Sequence, residues 1–522
     1  MLNHKTSNSS KSPGSDIGSS GSELREKIQN YIRAGYPGLY LVSHEEQRVD
    51  AEMIRVAKEL KYGLFFWNVV NGLIDVEKGR QVKAANDPLE ALIAVQELRE
   101  KSIVLLKDFH LSLADPNPIL IRQLKDVLQT AKTKNKTLII VGCRVCLPPE
   151  LERELTVVEF SLPGKGQLNE VLNGILESAA IKAMEAELRD QVLDAAAGLT
   201  TMEAENAFAL SVVQCQNIDP VVVAKEKAQA VKKNGLLEII ETAESLESIG
   251  GLEVLKEWLL KRKHAFSQRA ITYGLPALKG VLILGIPGTG KSLTAKATAK
   301  VFGVPLLKLD AGKIFAGIVG QSESNLRSVM QTAEAIAPCV LWLDEVEKGF
   351  SGSRSSNSTD GGTSARVFGS FISWMQEKKA PVFIVATAND VSQLPPEMLR
   401  KGRFDELFFV DLPNLTEREA IWKIQISKYG RNPRDFDTVQ LARTTDGLTG
   451  SEIESVFVDA LFQGFDDDRE PTDLTIAGVL TEFVPLSKMM AEQITELRRW
   501  TKGRARLATT QVQEKGLRKM LV

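Results

Sequence analysis

Charge imbalance is the first thing this chain lacks: 65 lysines and arginines against 67 acids leave a net −2 over 522 residues. That balance argues against a surface built to coat nucleic acid, although a local basic patch stays open. Cysteine and histidine are equally sparse, four of each. Such scarcity excludes a disulfide scaffold and points to a reducing compartment. No H-E-x-x-H occurs, which disfavours a zinc protease of that type. Nor does any run approach the roughly eighteen uninterrupted apolar residues of a membrane span. The Ser- and Gly-rich stretch 1–22 has no apolar segment of the signal-peptide kind, and a disordered tail is expected there.

What is present is ordinary in bulk, 43% hydrophobic and 25% charged, and too long for one core. Two or three domains are expected. The most informative stretch is Gly285-Ile286-Pro287-Gly288-Thr289-Gly290-Lys291-Ser292, directly after the apolar run Gly280 to Leu284. It fits G-x-x-x-x-G-K-[ST], in which a glycine loop turns successive main-chain N–H groups into a concavity sized for phosphate. Glycine is required there because a Cβ would block the approach and because positive φ is needed. Lys291 would reach the β- and γ-phosphates. Ser292 would place its hydroxyl on Mg2+ at the start of a helix, Leu293 to Phe302, whose dipole favours the anion.

Apolar runs alternate with helical patterns along the first half: Leu39 to Val42, Leu64 to Val70, Ile103 to Leu106 and Thr137 to Val141 read as strands of a mostly parallel sheet. The second half repeats the order and some of the words. Leu147-Pro148-Pro149-Glu150-Leu151 is answered by Leu394-Pro395-Pro396-Glu397-Met398, and Gly198-Leu199-Thr200 by Gly447-Leu448-Thr449. We read this as duplication of one nucleotide-binding-type module. The first copy carries Ser43-His44-Glu45-Glu46-Gln47-Arg48 where the second has its glycine loop, so it should not bind ATP in the usual way. His44 and His110 read as solvated or structural. Cys143 and Cys146 form a C-x-x-C that reads as buried structural thiols, with redox or metal chemistry as the alternative.

In the second copy, Val340-Leu341-Trp342-Leu343 ends in Asp344-Glu345, two carboxylates at the carboxyl edge of a buried strand. Asp344 would hold Mg2+ through water, and Glu345 would orient and polarise the water that attacks the γ-phosphoryl group. Asn389 ends the next strand, within reach of the γ-phosphate or that water. Arg400 and Arg403 lie three apart on a helix-to-loop junction.

Taken together, Ile249-Gly250-Gly251-Leu252, the glycine loop, Val319-Gly320-Gln321-Ser322-Glu323 with Asn325-Leu326-Arg327, Pro338-Cys339-Val340, Asp344-Glu345, Asn389, Arg400 to Asp405 and Gly447 to Glu452 resemble the AAA family of ring-forming ATPases, over about Glu244 to Leu486. An eroded module followed by an intact one resembles the branch encoded in plastid and cyanobacterial genomes. The resemblance implies an α/β domain with a helical lid, ATP and Mg2+ at a subunit boundary, and a homo-oligomeric ring, often of six. It implies that Arg400 and Arg403 are fingers acting on a neighbour's γ-phosphate, that Asn389 is a sensor, and that Ile249, Gly250 and Gly450 contact adenosine, beside Pro287, Gly288, Thr289, Gly290, Lys291, Ser292 and Leu293 on the phosphates. Catalysis would rest on Glu345, Asn389, Arg400 and Arg403, and the metal on Ser292 and Asp344.

The fold expected is therefore α/β, two tandem P-loop-type modules with helical lids, the first degenerate: a degenerate module over 23–235, an ATPase α/β domain over 236–413, a lid over 414–487 and a basic helix over 488–522. That basic stretch reads as a solvated or inter-subunit helix, with an anionic partner as the alternative. Where substrate-threading relatives place an aromatic residue before Val319-Gly320, this chain has Ile318; Phe315 reads as core, with a pore role as the alternative. The segment Gly349 to Gly362 reads as a mobile spacer. A protein partner is expected and nucleic acid is not, and the compartment is the cytoplasm or, on the resemblance, the plastid stroma. Two functions stay open: ATP hydrolysis coupled to remodelling a partner, or an ATP-switched assembly module with little turnover.

Overall fold

The computed structural model describes residues 20–115, 117–181, 184–233, 235–241, 243–310, 314, 321–348, 361–400 and 402–510. Phe315, Ile318 and positions 349–360 lie outside them, as do 1–19 and 511–522. The chain divides into two compact units, the first ending at Ala230 and the second beginning at Val231.

The first unit has seven strands: β1 (Gly38–Val42), β2 (Gly63–Asn68), β3 (Gly72–Asp75), β4 (Arg80–Lys83), β5 (Ser102–Lys107), β6 (Lys136–Gly142) and β7 (Thr156–Glu159), in the order β4-β3-β2-β5-β6-β1-β7. The second has β8 (Leu237–Ile240), β9 (Gly280–Gly285), β10 (Leu306–Leu309), β11 (Cys339–Leu343), β12 (Val382–Ala388), β13 (Glu406–Val410) and β14 (Arg506–Leu507), in the order β14-β13-β9-β12-β11-β10-β8. Stripped of their edges, β7-β1-β6-β5-β2 and β13-β9-β12-β11-β10 are the same order of five parallel strands.

The central strands are short apolar runs because both faces are covered. Along β9, Leu282 and Leu284 enter one core with Leu341 and Ile384, while Val281 and Ile283 enter the other with Val340, Phe383 and Trp258. The helix Lys291–Phe302 lies close to the sheet because its buried face is small, Thr294, Ala295, Ala297, Thr298 and Ala299. Gly303, left-handed at φ +65°, stops it by returning its N–H to Ala299 and Lys300 carbonyls.

The repeated Gly-Leu-Thr words mark the same device twice. Gly198 and Gly447 are left-handed, and Thr200 with Glu203, like Thr449 with Glu452, closes a reciprocal capping box at a lid helix. The first lid holds the helices Lys165–Ser178, Ala186–Ala196, Thr201–Cys215 and Pro220–Lys233, and the second holds Leu415–Lys428, Thr438–Thr444, Gly450–Asp466 and Asp473–Glu482.

Several expectations need correction. A helix begins at Ser20, inside the segment expected to be a tail. Residues 488–510 are not one basic helix: after Ala491–Thr501 the chain turns into β14, and the Thr509 hydroxyl donates to buried Glu417 at 2.7 Å. Its cations have local partners, Arg498 on Asp411 at 2.8 Å and Arg506 near Glu406 at 3.7 Å. The antiparallel pairs β2–β3 and β3–β4 are absent from the sequence reading, although Asn71-Gly72 signals the tight turn between β2 and β3, where Gly72 has φ +64°. Cys143 is exposed and Cys146 half-buried rather than buried, and no group of metal ligands occurs among the described residues. His110 is buried, with its Nε2 3.8 Å from Cys143 Sγ. No single helix among the described residues is long and apolar enough to cross a membrane.

Candidate phosphate-binding site

The loop after β9 is built to expose its amides. Gly288 and Gly290 take φ +78° and +94°, and the helix begins at Lys291 with Gly290 as its cap. Among the described residues, no acceptor takes the main-chain N–H of Gly288, Thr289, Gly290, Lys291, Ser292 or Leu293. Six consecutive donors at a helix start are an arrangement that suits an anion by geometry and by dipole. The loop is also shaped by what surrounds it: a Cβ on Gly285 would sit 2.3 Å from the Val410 carbonyl. Pro287 and Thr289 complete the turn, the Thr289 hydroxyl donating to the Ile286 carbonyl at 2.7 Å.

Lys291 is buried and donates to the carbonyls of Gly285 and Ile286 at 2.8 and 2.7 Å. Burial lowers its pKa to about 8, against the opposing pull of Glu347, Asp344 and Glu345. An ammonium so depleted of water favours an anion beside it.

Three strand ends bring the remaining groups together, because β11 lies beside β12 and β12 beside β9. Asp344 Oδ1 accepts from the Ser292 hydroxyl at 3.4 Å and from the Thr387 hydroxyl at 2.7 Å, and Lys308 Nζ stands 3.8 Å from Oδ2. Ser292 and Asp344 thus converge with oxygen donors of the kind Mg2+ takes. Glu345 holds an unusual backbone, φ +47°, and gives its N–H to Thr387 Oγ1 at 3.0 Å. Its carboxylate accepts from Asn389 Nδ2 at 3.2 Å and pairs with Lys348. Asn389 in turn gives its N–H to buried Glu347 at 2.9 Å. Burial raises the pKa of Glu347, and its Oε2 has no partner among the described residues. Thr387, Lys308 and Glu347 were not singled out from sequence. A threonine inside an apolar strand and an acid two past Asp344-Glu345 were the available signals.

The start of the helix Gly450–Asp466 meets the loop. Ser451 donates its N–H to the Gly288 carbonyl at 3.1 Å and its hydroxyl to the same oxygen at 3.3 Å. A Cβ on Gly450 would lie 3.5 Å from that carbonyl, and one on Gly250 would lie 2.5 Å from Ile421 Cγ1. Gly250, Gly288, Gly450 and Ile421 therefore meet, with Ile249 buried beside Gly250.

Arg400 and Arg403 stand elsewhere. Asp405 fixes their loop to the start of β9, accepting from the amides of Lys279 and Gly280 at 2.8 and 2.9 Å, and Glu406 pairs with Val281. The glycine loop leaves the other end of β9, roughly 17 Å along the strand. Neither guanidinium has an acceptor among the described residues.

The matching place in the first unit carries the opposite charges. The helix Glu46–Leu60 begins with acids, and buried Lys107 at the end of β5 pairs with Glu46 at 2.8 Å and Asp50 at 2.6 Å. Glu45 accepts from the Thr201 N–H and hydroxyl at 2.6 and 2.8 Å, so a carboxylate already covers the start of that lid helix. Carboxylates there would repel phosphate.

Residues 24–160 match the N-terminal domain of SpoVK-like AAA ATPases, 166–234 their second domain, and 281–412 the model described as ATPase family associated with various cellular activities. Relatives include the "Uncharacterized AAA domain-containing protein ycf46" of Trieres chinensis, 38% identical over 94% of this chain and 99% of that protein. Those of Guillardia theta and Pyropia yezoensis are also 38% identical, over 92% and 93% of this chain and 95% and 99% of theirs.

Proposed function

This chain belongs to the AAA family of ATPases, and from that membership we propose that it hydrolyses Mg-ATP at the Gly285–Ser292 loop and uses the cycle to remodel or regulate a protein partner. The observation that carries the reading is the row of six amides without acceptors, closed by a buried lysine, beside two carboxylates at neighbouring strand ends.

In this reading the amides receive the phosphates, and Lys291 exchanges two carbonyls for phosphate oxygens. Ser292 and Asp344 would hold Mg2+, which supplies neutralisation of the triphosphate charge. Glu345 orients the attacking water and receives its proton, and Asn389 steadies that carboxylate. Gly250, Ile249 and Gly450 line the adenosine side. Arg400 and Arg403 serve the site of a neighbouring copy in a homo-oligomeric ring. Because Ser451 is bonded to the loop itself, occupancy can be felt by the lid. A second reading has its own support. Both Glu345 carboxylate oxygens are engaged, by Asn389 and Lys348, which suits an ATP-switched assembly module with little turnover.

Calorimetry tests the site. One nucleotide is expected per chain, since the matching helix start of the first unit carries Glu45 and Glu46, and Lys291→Ala should weaken Mg-ATP binding about 100-fold, the loss of roughly 3 kcal/mol of charge-assisted hydrogen bonding. Two nucleotides per chain, or an unchanged isotherm in the variant, would overturn the assignment.

Affinity should also depend on pH. Phosphate raises the Lys291 pKa from about 8, so binding takes up a proton once the lysine is neutral. Below pH 8 the dissociation constant should be flat, and by pH 9 it should rise about tenfold. A flat profile through pH 9 would show that Lys291 does not bind as the ammonium.

A further inference from the structure

One hydroxyl joins the two acids at the end of β11. Thr387 is 1% exposed, in β12, and the register that pairs Leu343 with Ala386 sets it across from Asp344. Its Oγ1 donates to Asp344 Oδ1 at 2.7 Å and accepts the Glu345 N–H at 3.0 Å. Neither direction can reverse. An amide only donates and an ionised carboxylate only accepts, so the single hydroxyl proton is committed to Asp344 and the rotor is locked.

Each end of this bridge meets a group that needs support. Glu345 sits at φ +47°, a left-handed conformation uncommon for a glutamate, and such strain persists where the surroundings hold it. The bond from its N–H to Thr387 supplies that hold. Asp344 meets Ser292 more loosely, at 3.4 Å, and Lys308 at 3.8 Å, leaving Thr387 as its shortest contact. The hydroxyl therefore sets the carboxylate rotamer on one side and the backbone that aims Glu345 on the other.

We propose that Thr387 is the positioning residue of the hydrolytic site: it touches neither nucleotide nor water, and acts by holding Asp344 and Glu345 in one geometry. The inference rests on the ATPase reading above. Positioning errors of this size act on the chemical step more than on binding, because phosphate affinity comes from the loop amides and Lys291, which Thr387 does not contact.

Valine keeps the shape and branching of threonine and removes only the hydroxyl, so Thr387→Val is the test and Thr387→Ser its rescue. Thr387→Val should lower kcat for ATP at least tenfold while KM and the calorimetric Kd for Mg-ATP stay within about threefold. Thr387→Ser should return kcat to within a few-fold of wild type. A second readout needs no turnover: in nucleotide-free protein, amide exchange of the peptide containing Glu345 should speed up in Thr387→Val and not in Thr387→Ser. Should valine fold poorly, Thr387→Ala is compared with serine in the same way. An unchanged kcat in Thr387→Val, a serine variant as impaired as valine, or unaltered exchange would overturn the proposal. Wild-type protein without turnover would instead overturn the ATPase reading and this inference with it.

Discussion

Glu345→Gln should bind Mg-ATP with wild-type affinity and release phosphate between about 100- and 10,000-fold more slowly, the range typical of losing a general base. The amide is nearly isosteric with the carboxylate, so the bond from Asn389 and the backbone bond to Thr387 can both persist. What is lost is the capacity to take a proton, together with the ion pair to Lys348. That pair is exposed on both sides, 69% and 41%, so its loss should matter little to the fold. Phosphate release measured beside calorimetry separates the two readings. Turnover lost together with the biological effect supports a remodelling ATPase. A biological effect that survives without turnover supports the assembly switch. Wild-type turnover in Glu345→Gln would remove this residue from the mechanism altogether.

Arg403→Ala should cost a factor of a thousand or more in turnover, and mixing it with Lys291→Ala chains should restore part of the activity. Asp405 pins the arginine loop to the first residues of β9, while the glycine loop leaves its last, and the intervening strand is longer than an arginine can reach across. Arg403, two residues before Asp405, therefore starts from the far end of β9, which is why it is proposed to serve the site of a neighbouring copy. In a mixed assembly, an Arg403→Ala chain keeps an intact loop and can receive Arg403 from a Lys291→Ala neighbour. Turnover of the mixture at several ratios checks this, and no rescue at any ratio would count against action between copies. The same experiment with Arg400→Ala distinguishes whether both cations are used.

The groups of the candidate site were legible in sequence because they are local. A glycine loop, the lysine and serine that follow it, and two acids after an apolar run each sit within a few residues, and their backbone demands show as glycine at set positions. The repeat was legible for the same reason: Gly-Leu-Thr followed three residues on by glutamate is a helix start, whichever unit it stands in. Several of the misses came from contacts between distant segments. Nothing near Arg506 announces that it will extend the sheet beside Phe408, nor near Glu417 that it will gather the Leu252 amide and the Thr509 hydroxyl. The cysteines at 143 and 146 end an apolar strand and so read as buried, yet the strand had already reached the surface.

Sequence by itself determined that the second half carries a G-x-x-x-x-G-K-S loop after an apolar run and an Asp-Glu pair after another, and that the first half has acids where that loop would stand. It could do so because the spacing of glycines and charges states what the main chain and side chains must do. Tertiary structure alone decided which groups face one another. Strand order set Thr387 between Asp344 and Glu345, and β9 kept the arginines away from their own loop. In the first unit, folding brought Lys107 against Glu46 and Asp50, so the place a phosphate would take is lined by the protein's own acids. Parallel strands are joined by long crossovers, so their register couples residues far apart in the chain, and a motif of a few residues does not name its partner across the sheet.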